Sequence, residues 1–189
     1  MGERKVYLAG PEVFLPDAVA VGERKKAICA AHGLVGLFPF DNEVVPVEDG
    51  PPVSLLIYRG NLDLMRASDI AILNLSPFRG PGADTGTSFE LGYLTALGKP
   101  CLGYTNDPVD YVERVRRGGP VTLDAATGYW RDASGLSVED FGLSDNLMLD
   151  HAVAMSGHAT LRRDARHDPL ADLAAFEECV RLAAMMPHP

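Results

Sequence analysis

Residues 76–90 read Ser-Pro-Phe-Arg-Gly-Pro-Gly-Ala-Asp-Thr-Gly-Thr-Ser-Phe-Glu, a segment that gathers Arg79, three glycines, Asp84 and Glu90. A phosphate-cradling loop of the G-x-x-x-x-G-K type needs a lysine that this segment lacks, and Gly-Pro-Glu-Val-Phe at 10–14 is not the G-x-G-x-x-G of a dinucleotide site. What remains is a pair of carboxylates, Asp84 and Glu90, flanking a glycine-rich helix start. Two readings of the pair stay open on the residues alone. Thr87-Ser-Phe-Glu90 has the pattern of a capping box, with Asp84 shaping a turn. Alternatively, Glu90 is kept ionised by the helix dipole and serves as a nucleophile or cation stabiliser. Asn61 adds a polar group to a helical stripe shared with Ile57 and Leu64, which are expected to face the sheet. A buried Asn must find hydrogen bonds, either in a ligand or in a neighbouring loop.

These side chains need a frame. Four short apolar runs, at 5–9, 34–40, 69–75 and 100–104, are bounded by Gly, Pro or Asn and suit buried parallel strands. Helical patterns at 17–32, 53–68 and 86–97 lie between them. This alternation predicts an α/β fold, an open parallel sheet of four to five strands with helices on both faces, a Rossmann-like or flavodoxin-like three-layer sandwich. The whole chain, 1–189, reads as a single domain. In the second half the pattern predicts a short helix at 109–115, a hairpin around 121–132 packed by Tyr129 and Trp130, and a helix at 146–155. A closing amphipathic helix is expected at 169–186, entered through Asp168 with Pro169 at its first position. In such a sheet, ligands gather beyond the carboxyl ends of the strands. That edge carries Gly10-Pro11-Glu12, Asp41-Asn42 and the 76–90 segment.

Composition narrows the chemistry. With 26 acidic against 17 basic residues the formal charge is -9, which disfavours nucleic-acid polymers and anionic membrane surfaces as partners. No stretch approaches the length of a membrane span, and no signal-peptide pattern opens the chain. Cys29, Cys101 and Cys179 form no C-x-x-C pair and read as reduced, buried thiols of a cytoplasmic protein. His32, His151, His158, His167 and His188 lack metal-ligand spacing, so neither a metal nor an organic cofactor is expected.

In order along the chain stand Val6-Tyr-Leu-Ala-Gly-Pro11, Tyr58-Arg-Gly-Asn61-Leu-Asp and Asn74-Leu-Ser-Pro-Phe-Arg79-Gly. Asp84-Thr-Gly-Thr-Ser-Phe-Glu90-Leu-Gly-Tyr, Gly98-Lys-Pro and Phe141-Gly-Leu-Ser-Asp-Asn146-Leu-Met follow. Across residues 5–150 the sequence resembles the nucleoside 2-deoxyribosyltransferase family. The resemblance implies that Glu90 is the nucleophile attacking C1′ of a 2′-deoxynucleoside, that Asp84 helps protonate the leaving base and that Tyr7 orients Glu90. It implies substrate contacts at Gly10, Phe14, Asp41, Asn61, Arg79 and Gly86, with Asn146 supplied to a neighbouring subunit of a homodimer or larger homo-oligomer. Asn61 falls where some members carry Asp, and the C-terminal Tyr of some members has no counterpart. The expected activity is exchange of the base between 2′-deoxynucleosides and free nucleobases in nucleoside salvage. One alternative is an N-glycosidase acting on deoxynucleosides or their 5′-monophosphates, with Arg79 and the 80–87 backbone holding phosphate. A nucleoside-binding module without chemistry is the other.

Overall fold

The computed structural model describes residues 3–42, 44–46, 48–165 and 168–187. In chain order it runs β1 (Arg4–Ala9), α1 (Ala18–Ala31), β2 (Leu34–Leu37), α2 (Val53–Ala67), β3 (Ile70–Asn74), α3 (Thr85–Ala96) and β4 (Cys101–Thr105). There follow α4 (Tyr111–Gly118), the short strands β5 (Thr122–Leu123), β6 (Trp130–Arg131) and β7 (Ser137–Val138), then α5 (Leu147–Ala154), β8 (Leu161–Arg162) and α6 (Ala174–Met185). The main sheet has the order β2-β1-β3-β4-β8 and is parallel throughout.

β3 and β4 are buried at every position, which is why they read as unbroken apolar runs rather than alternating ones. Successive side chains still point to opposite layers. Val6, Leu8, Ile70, Ile72 and Leu102 pack with Cys29 of α1 and Phe176, Cys179 and Val180 of α6. Tyr7, Ala9, Ala71 and Leu73 pack with Met65 of α2, Leu91 and Leu94 of α3 and Val153 of α5. This is the α/β three-layer arrangement the alternation of elements predicts.

Four boundaries depart from the sequence reading. The second strand stops at Leu37 because Pro39–Asp41 turns as a 3-10 helix, held by the Asp41 carboxylate accepting from Phe38 N. The fourth helix starts at Tyr111, whose backbone N–H donates to Leu143 O. The hairpin is a three-stranded meander, because a second reversal at residues 132–135 brings β7 alongside β6. The closing helix starts at Ala174, not at Pro169. Asp168 instead folds a turn, its Oδ1 accepting from Leu170 N and its carbonyl from Ala171 N and Asp172 N. Asn106 Nδ2 then holds the carbonyls of Pro169 and Asp172, and Asp172 Oδ1 accepts from Ala174 N at the true helix start.

Candidate active site

A cavity of about 540 Å³ opens where the strands end, the place an open α/β sheet offers a ligand. Gly10, Val13 and Phe14 line it from the turn after β1; Pro39, Phe40, Asn42 and Val44 from the segment after β2. Ile57 and Asn61 of α2 form a third side, and Asp84, Gly86, Thr87 and Glu90 form a fourth. Such a mix of apolar walls and a few convergent polar groups suits a flat, partly polar organic ligand.

Glu90 is positioned by two elements. It lies in the second turn of α3, and its Oε1 accepts a 2.5 Å hydrogen bond from the hydroxyl of Tyr7, fully buried in β1. Burial pushes the Glu90 carboxyl up to about 7; the Tyr7 hydroxyl works against that shift and the Asp84 charge adds to it. Burial, and then the Glu90 charge, drive the Tyr7 phenol far above its usual range, so it stays a donor. The expectation that the helix dipole keeps Glu90 ionised is thereby corrected. Glu90 sits beyond the first turn, where the dipole fades, and loss of solvent outweighs it.

The capping reading is corrected as well. Asp84, not Thr87, is the N-cap of α3: its Oδ2 accepts from Thr87 N at 2.9 Å and from Thr87 Oγ1 at 3.1 Å. Glu90 caps nothing. Asp84 Oδ1 has no protein partner among the described residues, so one oxygen of the cap remains for a ligand. Gly10 is required by close approach, since a Cβ there would overlap the Glu12 carboxylate and lie 2.8 Å from Asn74 Cβ. Asn61 accepts at Oδ1 from Asn42 Nδ2 (3.0 Å), so it both ties the neighbouring loop and faces the cavity. Ile57, expected against the sheet, instead lines the cavity and is 45% exposed.

The model of the nucleoside 2-deoxyribosyltransferase family matches residues 6–148. The chain belongs to this family. It is 38% identical over 164 residues to the Schizosaccharomyces pombe protein C191.05c, covering 80% of this chain and 78% of that one. The 2-deoxyribosyltransferase from Leishmania mexicana superposes with a TM-score of 0.66 at 35% identity, covering 94% of this chain and 97% of the other. A conserved protein from Enterococcus faecalis V583 shares the fold alone (TM-score 0.55, 17% identity, 96% and 99% covered). Membership makes the chain a deoxyribosyltransferase-like protein of the glycosyltransferase type. Among the described residues no helix is long and apolar enough to cross a membrane.

The remaining residues expected at the deoxyribosyltransferase site divide. Phe14 lines the cavity and stacks on Phe78, ring centroids 5.1 Å apart. Arg79 is exposed and is not among the lining residues; its guanidinium lies 5.1 Å from the Phe14 ring and 4.7 Å from the Phe78 ring, alongside that pair. Asp41 is drawn away by Lys26 Nζ (2.8 Å) and Phe38 N (2.8 Å), and its neighbour Asn42 takes the place on the wall. Asn146 caps α5 by accepting from Met148 N and donates to Glu139, outside this chain's own cavity. Among the described residues no group of three His, Cys, Asp or Glu could hold a metal; His167 and His188 lie outside those residues.

Two supports escaped the sequence reading. Glu12 and Lys25 are both fully buried and paired at 2.7 Å, with Glu12 Oε1 also accepting from Asn74 Nδ2 and the Tyr104 hydroxyl. This network ties together the ends of β1, β3 and β4. Asp145 Oδ2 accepts from Ala83 N at 2.9 Å, beside Asp84, and is itself paired with buried Arg114 at 3.2 Å. The charged residues were visible in the sequence, but nothing in their spacing distinguished them from surface charge.

Proposed function

We propose that this chain exchanges the nucleobase of 2′-deoxynucleosides with free bases, with Glu90 as the nucleophile. The observation that carries the reading is a carboxylate aligned by a buried phenol at the edge of a largely apolar cavity. In the first half-reaction a Glu90 oxygen bonds to C1′ and the C1′–N bond breaks. Its electron pair leaves on the base nitrogen, and the base takes up a proton from Asp84 or from water. A second base then attacks C1′ through its ring nitrogen, releases the Glu90 carboxylate and loses a proton. Positive charge that builds at C1′ is stabilised by the anion beside it, and two displacements retain configuration. Tyr7 orients the carboxylate, and Gly10, Phe14, Asn61 and Gly86 shape the sugar and base pocket. Such chemistry serves nucleoside salvage, and the three free, buried cysteines accord with a cytoplasmic setting.

The chain acts as a homodimer or larger oligomer in this reading. Tyr58 and Phe89 are each about half exposed and 6.1 Å apart, and Phe89 stacks on Tyr93 at 6.2 Å, beside the cavity. An aromatic strip of this kind is characteristic of a protein–protein contact, and Asn146 stands outside its own cavity, available to a neighbour's.

Incubation with 2′-deoxyinosine and adenine, followed by chromatography, tests the reading. Formation of 2′-deoxyadenosine supports transfer. Hypoxanthine and free deoxyribose without a new nucleoside would make the chain a hydrolase and sink the exchange half of the proposal.

A further inference from the structure

Of the described side chains lining the cavity, only Asn42, Asn61 and Thr87 carry hydrogen-bond donors other than a protonated carboxyl. Thr87 Oγ1 is committed to Asp84 Oδ2. Asn42 Nδ2 is committed twice, to Pro39 O at 3.1 Å and to Asn61 Oδ1 at 3.0 Å, which uses both its hydrogens. Asn61 Nδ2 has no protein partner among the described residues.

The orientation of this pair follows from chemistry. An amide's oxygen and nitrogen are nearly interchangeable in shape, so which way each points must come from its partners. The Pro39 carbonyl can only accept. Asn42 must therefore turn its nitrogen to it, and that same nitrogen faces Asn61. Asn61 must answer with its oxygen, which leaves its nitrogen away from Asn42. A glycine makes room for this relay. A Cβ on Gly60 would lie 2.7 Å from Asn42 Cγ and 2.9 Å from both Nδ2 and Oδ1, so the Asn42 amide occupies the space a side chain would fill.

We infer that the Pro39–Asn42–Asn61 relay is the base-reading element of the cavity: it fixes Asn61 as an obligate donor, selecting nucleobases that turn a ring nitrogen or carbonyl oxygen to it. This rests on the proposed exchange reaction and names what its base must offer. Because an amide does not titrate near neutrality, the donor is present at any working pH. It also gains strength during reaction, since the electron pair of the broken C1′–N bond enters the base and makes its acceptor atoms richer.

The test compares acceptor bases that differ by one atom. Adenine is set against 1-deaza-, 3-deaza- and 7-deazaadenine, and cytosine against 3-deazacytosine, each pair measured for exchange (kcat/KM) and for binding by calorimetry. The proteins are wild type, Asn61→Ala, Asn61→Asp and Gly60→Ala. Wild type should reject one deaza analogue by about tenfold, the worth of one hydrogen bond to a neutral group. That penalty should fall below about twofold in Asn61→Ala and in Gly60→Ala, which touches Asn42 and not the ligand. Asn61→Asp keeps the bond from Asn42 yet offers an acceptor, so it should bind the parent base no better than Asn61→Ala does. A penalty that survives in Asn61→Ala, or equal use of every analogue by wild type, overturns the inference. Exchange without dependence on Asn61 overturns this inference alone. Base binding that depends on Asn61 without exchange supports it and overturns the reaction. Neither binding nor exchange overturns both.

Discussion

At the scale of single residues, the site is built around a conflict between stability and reactivity at Glu90. As the proposed nucleophile Glu90 must be ionised, yet burial holds its carboxyl up to about 7, above the usual range near 4. A carboxyl whose pKa is raised on folding favours the native state while protonated. That contribution is complete below about pH 4.5 and is lost as the pH rises through about 7. Glu90→Gln keeps an acceptor for Tyr7 and removes the titration. The variant should lose exchange entirely and, at pH 8, should be more stable than wild type by on the order of 2 kcal/mol. Urea unfolding at pH 5 and pH 8 measures this; an unchanged gap between the two proteins at both values would contradict it. On the proposed mechanism, exchange by the wild type should fall as the pH drops below about 7, because protonation of Glu90 removes the attacking carboxylate.

At the scale of elements, the loop carrying Asp84 is not held by α3 alone. Asp145, at the start of α5, accepts from Ala83 N and pairs with Arg114 of α4, so the second half of the chain fixes a residue of the first. Asp145→Ala would strip buried Arg114 of its ion-pair partner and leave it the Ser144 carbonyl, with its Nε and Nη1 already lacking partners. The expected cost is about 3–5 kcal/mol, read as a shift of the urea midpoint; a loss under 1 kcal/mol would show that the anchor is dispensable. This contact also marks where sequence reading ends. The four main strands and first three helices were legible because burial on both faces leaves continuous apolar runs, and the Asp84–Glu90 segment because few folds need that density of polar groups beside glycines. The start of α6 was not legible. Asp168-Pro169 is a sound helix start locally, and it is overridden by Asn106, 63 residues away, holding the Pro169 carbonyl. Asp41 failed similarly: its placement beyond β2 was right, but Lys26 claims its carboxylate. Long-range partners of single polar groups leave no periodic trace.

At the scale of the whole molecule, the proposed oligomer would cover the half-exposed rings of Tyr58 and Phe89. Light scattering should give a mass at least twice the 20.3 kDa of one chain, and Phe89→Asp should shift it toward one. A wild-type mass near one chain would remove the basis for subunit sharing. The sheet carries a different demand. β1 sends Val6 and Leu8 into one layer and Tyr7 into the other, where its hydroxyl meets Glu90. A strand's side chains have a period of two, so a slip of one residue exchanges the layers. A single insertion or deletion between Tyr7 and Gly10 would slip the short N-terminal end of the strand, turn the phenol toward α1 and α6 and bring an aliphatic group to Glu90. Indels are excluded there, and the length of the first strand decides which side chain meets Glu90.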